Sequence, residues 1–255
     1  MKDNVYLAQV NNTYGSNAFL PYSAGLLQAY AQTIPAIGEH FEFKPLIWRR
    51  EPVEQVLAQI EDPAVLGLSC YIWNMGWNLR LAEAVRKAWP LCFIVAGGPQ
   101  VPVKSDDFMK QYPAIDAVVR YEGEQAFSEI LEYLIGLKFR HDIKGISYRL
   151  GELIHTPARE LGDPNQVPSP YLAGIFDGLL AKHPEISFHV TQETHRGCPY
   201  SCTFCDWGSA VLTKVRPFNP GRLAEELAWC GEHKIELLYN ADANFGLLPQ
   251  DAGFV

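Results

Sequence analysis

The sequence predicts an α/β protein, with a doubly wound, mostly parallel sheet over residues 1–150 and the opening of a second β/α series after it. Two observations predict this. Short apolar runs alternate with amphipathic helical patterns over the first ~140 residues, the signature of βα units. Further on, strand character at Ser187–Thr191, helical spacing at Leu223, Leu227 and Cys230, and an apolar run at Ile235–Tyr239 repeat the pattern.

In order, the strand candidates are Val5–Val10, Phe41–Ile47, Val65–Cys70, Leu91–Ala96 and Ala117–Arg120. Four helix faces lie between or after them. Leu27, Tyr30, Ala31 and Ile34 form the first, and Val53, Val56, Leu57 and Ile60 the second. Leu81, Ala84, Val85 and Ala88 form the third, and Phe127, Ile130, Leu131 and Leu134 the fourth. Each set recurs at three- and four-residue steps, which places its members on one helix face. Pro52 suits a first helical turn, and Pro90 stops the third helix before the next strand.

Ile146–Leu150 and Leu153–Thr156 predict a hairpin turning at Gly151-Glu152. Pro157–Pro170, rich in Pro, Gly, Asp and Asn, predicts a linker. The expected division is therefore 1–150, a Rossmann-like domain; 151–185, the hairpin end and linker; and 186–255, the start of a second domain.

Such sheets bind ligands beyond the carboxyl ends of their strands. Three segments stand there: Asn11–Pro21, Tyr71–Gly76 and Gly97-Gly98-Pro99. Adjacent glycines lack a Cβ and let a flat ligand approach the backbone, although a plain tight turn explains them equally well. No G-x-G-x-x-G follows any strand, which disfavours a nicotinamide dinucleotide.

Composition narrows the function classes. The 255 residues are 48% hydrophobic and 20% charged, as expected of a chain with a real core. A net charge of −8 argues against nucleic acid or an anionic membrane as partner. No apolar run approaches the ~20 residues of a membrane span. Asn11 and Asn12 cut the first apolar stretch too short for a signal peptide, so a cytoplasmic location is expected.

Six cysteines in such a chain do not suggest a disulfide framework. Cys70, Cys92 and Cys230 are scattered, whereas Cys198, Cys202 and Cys205 fall in Thr194-His195-Arg196-Gly197-Cys198-Pro199-Tyr200-Ser201-Cys202-Thr203-Phe204-Cys205. Close thiolates on one loop suit an iron–sulfur cluster or zinc. A structural zinc site wants four ligands and the loop offers three, with His195, His233 or Cys230 as recruits for a fourth. Cys230 shares a helical face with Leu223 and Leu227, which favours a core thiol.

The C-x3-C-x2-C spacing, with Phe204 immediately before the third cysteine, resembles the signature of the radical S-adenosylmethionine (SAM) superfamily. The resemblance implies that Cys198, Cys202 and Cys205 hold a [4Fe–4S] cluster, that its open iron chelates SAM, and that Phe204 packs by the adenine. Reductive cleavage of SAM to a 5′-deoxyadenosyl radical is the implied chemistry, with an external electron donor as partner. Asp206-Trp207-Gly208, Lys214–Phe218 and Asn240–Gly246 are similar to stretches of the branch that carries a cobalamin-binding domain, as are Gly97-Gly98-Pro99 and Glu122-Gly123-Glu124. On that likeness Asp242 and Asn244 are candidates for the polar end of SAM, at the carboxyl end of a second strand of a (β/α) barrel; a turn or capping pair is the alternative. Ser69, Tyr71, Gly97 and Gly98 are candidate cobalamin contacts, with strand-end packing the rival for the first two. The loop Asn12–Asn17 lacks the histidine of D-x-H-x-x-G, so no histidine from it ligates cobalt.

The resemblance implies a cobalamin-dependent radical SAM enzyme that methylates carbon on a small molecule or peptide. A radical SAM cyclase or rearrangement enzyme is the alternative, and an inert cobalamin module the alternative of another class. Ser187–Val255 is short for a barrel, which needs on the order of 200 residues. The expectation is a chain truncated within the barrel, inactive alone or completed by a second chain.

Overall fold

The computed structural model describes residues 2–200, 202, 203, 205 and 214–254. The main sheet begins with β1 (Asp3–Asn11). Strands β2 (Thr13–Tyr14) and β3 (Asn17–Phe19) precede helices α1 (Tyr22–Ala31) and α2 (Pro35–His40). There follow β4 (Phe41–Phe43), β5 (Ile47–Arg49), α3 (Val53–Leu57), β6 (Pro63–Ser69), α4 (Met75–Ala88), β7 (Phe93–Gly97), α5 (Asp106–Gln111), β8 (Ala117–Val119) and α6 (Glu124–Leu134). The hairpin β9 (Ile146–Leu150) and β10 (Glu152–His155) closes this part.

The strand order is β10-β9-β8-β7-β6-β1-β4, with β5 also on β1. Pairings from β4 to β8 are parallel, and β9 and β10 join antiparallel. Alternation along β1 explains the two covered faces. Tyr6, Ala8 and Val10 face α3, α4 and α5 through Val56, Leu81 and Met109. Val5 and Leu7 face α1, α2 and α6 through Ala24, Ile37 and Phe127. This is the doubly wound arrangement the periodicities predict.

Two expectations are corrected here. Phe41–Ile47 is not one strand: β4 pairs with Asp3–Val5 and β5 with Ala8 and Asn11. Pro45 lies between them and has no N–H to give to a ladder. The hairpin turns on Gly151 alone, with Leu150 opposite Glu152, so the sheet runs past residue 150 to His155.

The rest forms around α7 (Asp177–Lys182), β11 (Ser187–Gln192), β12 (His195–Arg196), β13 (Arg216–Pro217), α8 (Pro220–Glu232) and β14 (Leu238–Asn240). A second sheet runs β14-β11-β3-β2, with β11 parallel to both neighbours. The Asn11–Pro21 segment thus supplies two strands to this sheet rather than a free loop. Beneath it, Leu20, Tyr22, Tyr171, Phe176, Phe188 and Trp229 form one apolar cluster. Part of the Pro157–Pro170 segment is packed as well, with Val167 buried in the same cluster.

Asn219 caps α8 by accepting from Gly221 N at 2.8 Å, and Pro220 occupies its first turn. The buried face of α8 is Leu223, Glu226, Trp229 and Cys230, while Leu227 is exposed. The predicted strand at Ile235 starts only at Leu238, because Lys234 turns with φ +53° and Ile235 N closes back on Cys230 O. Among the described residues no helix is long and apolar enough to cross a membrane.

Candidate functional site

The carboxyl edge of the main sheet carries a shared hydroxyl centre. Ser23, in the first turn of α1, lies 2.8 Å from Gln9 Oε1 and 3.0 Å from both Ser69 Oγ and Tyr71 OH. Two predicted contact residues, Ser69 and Tyr71, therefore converge on a third that carried no sequence signal. The Tyr71 ring stacks on Trp73 with centroids 4.6 Å apart. Buried Asn74 fixes this turn, accepting from Tyr71 N at 2.8 Å and donating to Val10 O and Ser69 O.

Gly97 and Gly98 also lie on this edge, and Gly98 has a local reason to be glycine. Its φ is +103°, and a Cβ there would stand 2.7 Å from Cys70 O. Cys70 N donates to Gly97 O and Gln100 N to Cys70 O, so two strand ends cross without room for a side chain. At Gly97 a Cβ would meet only Val119, at 3.6 Å.

These residues form one wall of a cavity of about 840 Å³. The opposite wall comes from β11, β12, β14 and the segment after it, with Thr191, Glu193, His195, Arg196, Tyr239 and Ala241. Its size falls in the range of small-molecule and cofactor sites.

Arg196 ties the two walls together. It donates to Glu124 at 2.7 Å and to Glu193 at 3.1 Å, and approaches Glu122 at 3.7 Å. Arg216 donates to Glu122 and to Gly162 O. Glu122-Gly123-Glu124 thus clasps the strand that leads into the cysteine loop, with Glu124 acting from the first residue of α6. Burial alone would raise the Glu124 carboxyl, but the charge and hydrogen bond of Arg196 hold it below the ordinary range. Burial, with Glu124 and Asp242 as further negative neighbours, pushes Glu193 up despite Arg196. Arg196 was not among the predicted site residues, although it stands two residues before Cys198.

Within the loop Cys198 is buried, Cys202 exposed and Cys205 half-buried, and Cys205 N donates to Cys202 O at 3.1 Å. Among the described residues no three His, Cys, Asp or Glu side chains are gathered as a metal-holding group. The donor set itself, three thiols within eight residues, suits a soft metal centre. Phe204 and Asp206-Trp207-Gly208 lie outside the described residues. Of the recruits for a zinc site, Cys230 and His233 are engaged elsewhere. Cys230 is in the apolar cluster, and His233 stacks on Trp229. His195 is buried beside Asp242, Nδ1 to Oδ2 3.6 Å. Burial pushes the thiols of Cys70, Cys92 and Cys230 up to about 11, 12 and 11.

Asp242 and Asn244 separate in role. The Asp242 carboxylate is fully buried and accepts from Thr194 N at 2.8 Å, Thr194 Oγ1 and His195 N. Its oxygens hold the backbone just before the cysteines, the turn-holding role set beside a SAM contact in the sequence reading. Asn244 stays at the loop, its Nδ2 2.9 Å from Cys198 Sγ.

Residues 41–131 match the family model described as a B12 binding domain. The chain is 42% identical over 244 residues to 2-(S-pantetheinyl)-carbapenam-3-carboxylate methyltransferase of Streptantibioticus cattleyicolor, covering 93% of this chain and 36% of that protein. It is 39% identical over 238 residues to the cobalamin-dependent radical SAM methyltransferase TokK of Streptomyces tokunonensis, covering 91% and 35%. The chain thus spans about a third of the length of these curated relatives. In fold it resembles the cobalamin-dependent S-adenosylmethionine radical enzyme OxsB solved with aqua-cobalamin and S-adenosylmethionine, at TM-score 0.77 and 22% identity, over 98% of this chain and 35% of that one. The radical S-adenosylmethionine methyltransferase TsrM from Kitasatospora setae gives TM-score 0.71 at 16% identity, over 98% and 49%.

Proposed function

We propose that this chain, similar to cobalamin-dependent radical SAM methyltransferases, is the cofactor-holding part of an enzyme that methylates a carbon atom of a small molecule. The carrying observation is the shared cavity. Its one wall is the sheet edge of the B12-binding domain, and its other leads directly into the three-cysteine loop. Two cofactors bound on these walls face a common space, as transfer between them requires.

When bound, cobalamin supplies a transferable methyl group, and the [4Fe–4S] cluster with SAM supplies the one-electron chemistry that activates carbon. The chain's residues hold and orient. Ser69, Tyr71 and Ser23 would offer hydroxyls to cobalamin, Trp73 and Tyr71 would offer an aromatic face, and Gly97 would leave the wall open. Cys198, Cys202 and Cys205 are the thiolates for the cluster. Arg196, clasped by Glu124 and Glu193, fixes the strand that delivers them and helps close the cavity to water. The relative at 42% identity bears a carbapenam carboxylate in its name; for this protein the acceptor is left at the class of small molecules. Turnover, the external electron donor and the acceptor are proposed for the whole protein. Six free thiols fit a reducing compartment, in keeping with a cytoplasmic location.

The test is anaerobic reconstitution with iron and sulfide, followed by electron paramagnetic resonance with and without SAM and absorption spectroscopy with cobalamin. A reduced-cluster signal that shifts with SAM, together with bound cobalamin, supports the proposal. Tight cobalamin binding with a cluster that SAM does not perturb would reduce the chain to a cobalamin module. Stoichiometric zinc without sulfide would overturn it.

A further inference from the structure

The contact between Asn244 Nδ2 and Cys198 Sγ, at 2.9 Å, joins the segment after β14 to the first of the three cysteines. Among the described residues neither Cys202 nor Cys205 receives a comparable side-chain donor. The three sulfurs also differ in exposure, with Cys198 the buried one.

The segment that carries Asn244 is tied on both sides. Before it, Ala241 N donates to Gln192 O at 2.8 Å, and the Asp242 carboxylate holds Thr194 and His195. After it, Gly246 N and Leu248 N each donate to Asp251 Oδ2 at 2.9 Å, while Asp251 Oδ1 lies 3.3 Å from Thr194 Oγ1. Both anchors return to the strand that runs into Cys198. The amide is thus delivered by a braced turn rather than by a free side chain.

We infer that Asn244 is a positioning residue that sets the electron affinity of the cluster by donating its amide N–H to the Cys198 thiolate. This rests on the reading of Cys198, Cys202 and Cys205 as cluster ligands. The physical reason is direct. Reduction adds negative charge to a cluster and its thiolates, so a donor on one sulfur stabilises the reduced form more than the oxidised form and raises the potential. Asparagine supplies that donor without a charge. A carboxylate of the same shape would accept rather than donate and would place a negative charge against the sulfur.

The experiment uses the full chain, reconstituted anaerobically with iron and sulfide, as wild type, N244L, N244D and N244Q. Iron and acid-labile sulfide are counted, and midpoint potentials are read by redox titration without SAM. The expected result is full cluster content, with midpoints in N244L and N244D more negative than wild type, N244D the more so, and N244Q closest to wild type. If leucine expels the cluster, N244S carries the comparison, since its hydroxyl is too short to reach the sulfur; its midpoint should also fall. Unchanged midpoints in cluster-loaded variants overturn the inference. So does an unchanged SAM-free midpoint with loss of the SAM-induced spectral change, which makes Asn244 a SAM contact instead. A wild type that takes up no cluster sinks the functional proposal together with this one, whereas a loaded wild type with indifferent variants sinks this one alone.

Discussion

Arg196 Nη2 lies 2.7 Å from Glu124 Oε1, joining the strand before the cysteines to the first residue of the helix behind the cavity-lining sheet edge. The Glu124 side chain is buried and that of Arg196 is 11% exposed, and Arg196 also serves Glu193. Replacing Arg196 by methionine leaves two carboxylates in a low-dielectric site, at a cost of roughly 3–5 kcal/mol. E124Q keeps a hydrogen-bonding partner and should cost only about 1–2 kcal/mol. Urea midpoints of the two variants check the order.

The same pair gives a pH dependence whose sign follows from Glu124. Its folded carboxyl is held below the unfolded value, chiefly because Arg196 outweighs the effect of burial. The stabilisation is therefore complete above the unfolded pKa and is lost as pH falls through the folded one. The stability gap between wild type and E124Q should be full at neutral pH and shrink below about pH 4. A gap that stays constant through acid would mean that the charge of Glu124 is irrelevant.

Neighbouring glycines should answer differently to the same substitution. G98A puts a Cβ against the Cys70 backbone at a left-handed φ and should cost at least about 2 kcal/mol. G97A meets only Val119 at ordinary contact distance and should fold within about 1 kcal/mol of wild type. Because Gly97 lines the cavity, G97A should still weaken cobalamin uptake, read by absorption titration.

Cysteine substitutions should divide by place. C198A, C202A and C205A should each lose iron and sulfide to background after anaerobic reconstitution while cobalamin affinity persists. C70A, C92A and C230A should keep the cluster and lose stability instead, since each removes a buried thiol. Loss of cobalamin binding along with the cluster would show that the two walls of the cavity do not act separately.

What the sequence disclosed follows the range of the interactions. The cysteine loop was legible because its three thiols lie within eight residues, and β1 because Val5–Val10 is apolar on both faces. Asn11–Pro21 was misjudged because its pairing partner is Ser187–His189, far along the chain. Leu227 was misplaced because the buried face of α8 turns toward Glu226, which accepts from Gln192 and Arg222. The bonds of Asp242 to Thr194 and His195 were not legible, because nothing local reveals that these residues meet. Ser23 and Arg196 acquire their roles only when two strands and a helix from separate stretches meet.

Ser23 offers the sharpest test of the cavity, because it is one bond away from both predicted hydroxyl contacts. S23A removes the group shared by Gln9, Ser69 and Tyr71. Y71F removes one hydroxyl while leaving the ring against Trp73, and Y71A removes both the hydroxyl and the stack. One neutral hydrogen bond contributes about 1 kcal/mol, so S23A and Y71F should each weaken cobalamin binding by roughly three- to tenfold. Y71A should weaken it further, since the aromatic face is lost as well. Absorption titration with hydroxocobalamin gives all three affinities. Equal affinities across the series would place the corrin away from the Ser69–Tyr71 edge, because no ligand seated there could be indifferent to all three changes.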